Sequence, residues 1–204
     1  MKPRVFFEQW QATSVFKREV IQVEKSMTEV EYFSRQAKWL REAHLASIFA
    51  QKTGAKRVRL AANDVKREDF EVLLRNGNAM QVQAAEAIQP GRKRKEEYLR
   101  LAELGSWAER DPVENWLERR RALPAIIREI AKNKTAKGYS RSISLLIYVN
   151  LGPTYGYWND EIEVDLIECT APARGQFRTV WALWNDRLYR CWPTPFLGLR
   201  WSSQ

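Results

Sequence analysis

Asp69 to Ala87 reads DFEVLLRNGNAMQVQAAEA. Its first half alternates polar and apolar residues (Asp69, Phe70, Glu71, Val72) with the period of two expected of a strand covered on one face. Asn76-Gly77 marks a reversal, because both residue types tolerate positive φ. Beyond it Met80, Val82 and Ala84 alternate with Gln81 and Gln83. The spacing predicts a β-hairpin with Asp69 and Glu71 on one face of the first strand and Gln81 and Gln83 on one face of its partner. A register with Asp69 beside Gln81 would gather carboxylates from one strand and amides from the other.

Working outward, KRVRLAA (Lys56 to Ala62) alternates as a preceding strand, which makes a three-stranded meander. Before it, Thr28-Glu29-Val30-Glu31 has capping-box spacing and opens a helix with apolar positions Val30, Phe33, Ala37 and Leu40, closed by Gly54. The segments VFFEQW and FKREVIQVEK read as short strands or an N-terminal extension. After the meander, KEEYLRLAELGSW is helical. Asp111-Pro112 then sets an N-cap for VENWLERRRALPAIIREIAKNK, which Pro124 is expected to kink or split. SISLLIYVN (Ser142 to Asn150) is a near-continuous apolar run suited to a central strand covered on both faces. NDEIEVDLIEC reads as a short helix, and FRTVWALW and RLYRCW form a second hairpin around Asn185-Asp186. The fold class is α/β with a mixed sheet. One domain spans 1–204: an extension (1–27), a core (28–150), and a C-terminal helix with an aromatic hairpin (151–204).

The chain has 204 residues, a formal charge of +9, two cysteines and one histidine. That composition implies no disulfide framework and no Cys/His zinc cluster. His44 lies in the helical run REAHLASIF and is read as a half-buried helix residue rather than a catalytic base. Hydrolysis, if it occurs, must use carboxylates with a hard metal such as Mg2+. Gly138, Gly152 and Gly156 are isolated, so no nucleotide-binding loop is present. No apolar run reaches bilayer length and Glu8 and Gln9 interrupt the N-terminus, so a cytoplasmic protein without membrane association is expected. The positive charge favours a polyanion, most simply nucleic acid, with DNA preferred to RNA. It concentrates in Arg92, Lys93, Arg94 and Lys95, in Arg119, Arg120 and Arg121, and in Lys132, Lys134 and Lys137. Trp181, Trp184, Tyr189, Trp192 and Trp201 crowd the last hairpin with interleaved arginines. They suit either base stacking or packing on the core, or a homodimer contact.

A helix, a meander with acids on its second strand and a polar pair on its third, then a helix and a buried strand resemble the core of the PD-(D/E)XK restriction-endonuclease-like superfamily. The resemblance covers Thr28 to Asn150 and implies an αβββαβ core. Asp69-Phe70-Glu71 is similar to that family's metal-binding acid position, and Gln81-Val82-Gln83 stands at its (D/E)-X-K. QVQAAEA followed by IQPGRKRKEEY is similar to bacterial and prophage-encoded members whose third strand runs into a basic turn. The resemblance implies Mg2+-dependent phosphodiester hydrolysis with Asp69, Gln81, Gln83 and Glu86 as catalytic residues and Asp69, Glu71 and Gln81 as metal ligands. Glu42 or Glu31 would supply a helix-borne acid. The two glutamines carry no charge and weaken such a metal site. A relative that binds nucleic acid without cutting it is therefore the alternative, with a protein-interaction module of phage or defence origin behind it.

Overall fold

A computed structural model describes residues 4–61, 68–89, 113–150 and 159–193, together with positions 96 and 99. The chain is mixed α/β and divides into two compact units: 1–84 with 89–115, and 85–88 with 116–204. Hydrogen-bonded strands follow chain order within each unit.

The first unit begins with a short helix α1 (Val5–Glu8) and a two-residue strand β1 (Gln11–Ala12), which pairs antiparallel with β2 (Arg57–Leu60). Helix α2 (Thr13–Lys25) follows. These segments, expected as short strands or an N-terminal extension, are largely helical. Phe16, Val20 and Val23 recur at four and three residues, so a helix turns two of them fully inward, which a strand of period two could not do. Phe16 meets Phe6 edge to face, ring centroids 5.1 Å apart, so the N-terminal segment is part of the unit's core.

The helix expected from Thr28 forms as two. Thr28 caps α3 (Glu29–Tyr32) with the complete capping box, its hydroxyl accepting from the Glu31 N–H while the Glu31 carboxylate accepts from the Thr28 N–H. Such a cap is worth about 1 kcal/mol. The chain then breaks before α4 (Lys38–Lys52), because local donors and acceptors stabilise the break. The Ser34 hydroxyl accepts from the Ala37 N–H, and the Arg41 guanidinium donates to the Tyr32 and Ser34 carbonyls at 2.6 and 3.0 Å. Gly54, at φ +64°, ends α4 as the sequence predicts.

Strands β3 (Phe70–Leu73) and β4 (Ala79–Ala87) form the predicted hairpin with β2 on the other side of β3. Val58, Val72 and Met80, then Leu60, Phe70 and Val82, form two buried rows, and Phe70 meets Phe49 of α4 at 5.7 Å. The turn differs from a two-residue Asn-Gly turn. Leu74 accepts from the Gly77 N–H and donates to Asn78, and only Gly77, at φ +85°, is left-handed. This three-residue loop with a glycine bulge sets the register.

Helix α5 (Val113–Ala136), in the second unit from Trp116 on, is continuous through Pro124, so the expected split does not occur. Strand β5 (Ser144–Val149) is buried at Ser144, Leu145, Leu146, Ile147 and Val149, as a strand covered on both faces requires. It pairs parallel with β6 (Val180–Trp184). Between them lies the predicted helix α6 (Asn159–Cys169) and a 3-10 turn, Ala171–Ala173. Strand β7 (Arg187–Trp192) closes the second hairpin, where Asn185 and Asp186 are both left-handed at φ 46° and 61°. Cys169 and Cys191 are free thiols. Burial raises both, Cys191 to about 12. Among the described residues, no helix is long and apolar enough to cross a membrane.

Candidate functional site

The loop register places Glu71, not Asp69, opposite Gln81. Pairing starts at Leu73 with Ala79, so counting back brings Asp69 to Gln83. Gln83 is buried and its amide Nε2 donates to Asp69 Oδ2 and to the Ala84 carbonyl. The same Asp69 oxygen accepts the Ala84 N–H at 2.7 Å. Asp69 is therefore held by neutral donors from β4, which fix its rotamer and consume lone pairs that a metal would need.

Glu71 sits in a different arrangement. Arg59, across on β2, donates from Nε to Glu71 Oε2 at 2.5 Å, and Glu71 is only 12% exposed. Gln81 approaches from the other side with contacts of 3.4 Å to Glu71 and 3.5 Å to Glu68. The Arg59 guanidinium lies 4.6 Å above the Trp10 ring. A cation anchored on both an aromatic face and a carboxylate is a settled ion pair rather than a vacant ligand set. Arg59 was not singled out in the sequence. Its alternation in phase with Glu71 was visible, but their pairing depends on the register between β2 and β3, which no local motif sets.

The start of α4 reaches the same neighbourhood. Lys38 Nζ lies 3.0 Å from Glu42 Oε1. The Glu42 hydrogen bond and charge, with a smaller contribution from the charge of Asp69, hold the Lys38 ammonium above its usual range. Of the two helix acids, Glu42 is thus the one electrostatically linked to Asp69 through Lys38. Glu31 instead closes the capping box of α3, whose hydrogen bonds lower its carboxyl pKa.

Glu86 belongs to the second unit, where its carboxylate accepts from Asn150 Nδ2 at 3.0 Å. Among the described residues, no three His, Cys, Asp or Glu side chains are arranged to hold a metal ion. Glu71 is held by Arg59 and Asp69 by Gln83 and the Ala84 N–H, so a hard divalent cation would have to compete with those donors for either carboxylate. The basic turn Arg92, Lys93, Arg94 and Lys95 lies outside the described residues. On α5, Arg121 and Lys132 are exposed, Arg119, Arg120 and Lys134 are half-buried, and Lys137 follows the helix exposed. Arg121, Arg128 and Lys132 lie seven and four residues apart and share one exposed stripe.

The aromatic hairpin packs inward. Trp184 is in the second unit's core, with Tyr189 and Trp192 against it. Trp181 donates from Nε1 to Thr179 Oγ1, which bonds Ser144 in turn. His44 is half-buried on α4, its Nδ1 2.8 Å from Glu24. Compared with known proteins, the chain matches no family model, no curated protein and no solved structure.

Proposed function

We propose that this protein binds nucleic acid through its phosphates and does so without needing to cleave it. The observation that carries this reading is the Arg59 to Glu71 ion pair at 2.5 Å, which puts a guanidinium where a hydrolytic site would need a free carboxylate. The formal charge of +9 and the exposed cations of α5 support phosphate contact. DNA is the preferred partner. Binding would weaken steeply with salt, because each phosphate contact releases counterions.

A hydrolytic reading has one observation in its favour. Lys38 interacts electrostatically with both Glu42 and Asp69, and these are the residue types that the restriction-endonuclease-like resemblance implies. One experiment separates the two: titrate labelled DNA and RNA with the protein across a salt series, with and without Mg2+, and run the same samples on a gel. Salt-dependent binding to intact strands is expected. Mg2+-dependent cutting that disappears in Asp69→Ala would overturn the non-cleaving reading, and absence of binding at any salt would overturn both.

A further inference from the structure

An open groove of about 800 Å³ in the first unit lies away from the Asp69 row, between α2, the C-terminal end of α4, the start of β2 and the β3–β4 loop. Five of its fourteen lining residues are cations and none is acidic: Lys17, Arg18 and Lys25 from α2, Lys56 before β2, and Arg75 from the hairpin loop. They come from three separate parts of the chain, so tertiary folding, not the amphipathicity of one helix, brings them together. None of the five pairs with a described carboxylate. Two are held in place by neutral acceptors. Lys17 Nζ donates to Gln51 Oε1 at 2.6 Å, and Arg75 Nε donates to the Gly54 carbonyl at 3.3 Å. The first turn of α2, at Thr13 and Ser14, also lines the groove and has no side-chain cap. The Thr13 N–H donates to the Lys56 carbonyl at 3.1 Å, and the N–H groups of that turn beyond it add positive potential at that end.

We infer that this groove seats the sugar-phosphate backbone of a nucleic-acid duplex. The inference rests on the nucleic-acid reading above and gives it a second, separate surface. Among the described residues lining the groove there is no aromatic ring, so it offers no platform for unstacked bases. From Lys17 to Lys25, α2 spans about 12 Å at 1.5 Å per residue. Laid along the duplex axis, that length covers about three successive phosphates of one strand at 3.4 Å of axis per nucleotide. Contacts of this kind fix position and carry no sequence information.

The test is fluorescence anisotropy of a labelled mixed-sequence DNA duplex over a salt series, with wild type and the triple variant Lys17→Gln, Arg18→Gln, Lys25→Gln, whose helicity is checked by circular dichroism. The expected result is binding about tenfold or more weaker at low salt. The slope of log K against log salt should fall by about two to three, because each phosphate contact contributes about 0.9. Should the triple variant lose helicity, Lys56→Gln with Arg75→Gln tests the same groove from other elements. Wild-type binding with an unchanged slope in the variants overturns the groove and leaves the function proposal standing. No wild-type binding overturns both. A single strand of the same sequence competing better than the duplex overturns the duplex assignment.

Discussion

Both hairpins of this chain are announced by an asparagine followed by a small or acidic residue, yet the two turns are built differently. At Asn76-Gly77 only the glycine is left-handed and the loop has three residues. At Asn185-Asp186 both residues are left-handed and the loop has two. Their strands differ as well. β3 and the first part of β4 alternate between buried and half-buried positions, leaving a polar row where Arg59, Glu71 and Gln81 meet. β6 is almost wholly buried and β7 mostly half-buried, so the second hairpin divides burial between strands rather than between faces. The dipeptide therefore announces a reversal, and what lies on the strands decides which side chains meet.

The largest expected effect tests where each hairpin is anchored. Phe70→Ala empties a fully buried position against Phe49 and should cost about 3–5 kcal/mol in urea unfolding, whereas Leu188→Ala on half-buried β7 should cost under about 1 kcal/mol. Equal costs would break the contrast.

The second hairpin also carries a titratable core group. Burial pushes the Cys191 thiol up to about 12, so the folded state holds its proton after the unfolded chain, with an ordinary value near 9, has lost it. Stability from this group is intact below pH about 9 and falls as pH rises toward about 12, by on the order of a few kcal/mol. Chemical denaturation across that window should show a shallower decline in Cys191→Ala than in wild type; parallel declines would refute the assignment.

In the first hairpin, Arg59→Ala leaves Glu71 partly buried without its cation and should cost about 1–3 kcal/mol, while adding Glu71→Gln should recover part of that loss. Additive losses in the double variant would mean that the pair is not coupled. The smallest effects lie in the turns. Gly77→Ala forces a side chain into φ +85° and should destabilise by about 1 kcal/mol, while Asp186→Gly relieves a left-handed residue and should stabilise by up to about 1 kcal/mol. Thermal melts of the two variants should shift in opposite directions.

Legibility in the sequence followed the same division. The meander, the capping box at Thr28, the buried β5 and both reversals were readable because each is written in adjacent residues. Helix α2 is poorly legible because Val20, Ile21 and Val23 are β-branched and FKREVIQVEK mixes apolar and charged residues in a way that imitates a strand. The helical spacing of Phe16, Val20 and Val23 was present and would have revealed it, along with the basic stripe at Lys17, Arg18 and Lys25. At the candidate site, Asp69 and Gln83 were singled out, but which amide faces which acid depended on a loop of three residues rather than two. The Arg59 to Glu71 pair was out of reach because it links strands whose register is set by tertiary packing.

The cations around the α2 groove act before anything touches them. With no described carboxylate paired to them, their combined potential reaches into solvent about 30 Å at 0.01 M salt and about 10 Å at 0.1 M. A passing polyanion would be drawn in and turned toward that side of the protein during diffusion, so charge placed there governs how often encounters succeed as well as how long they last.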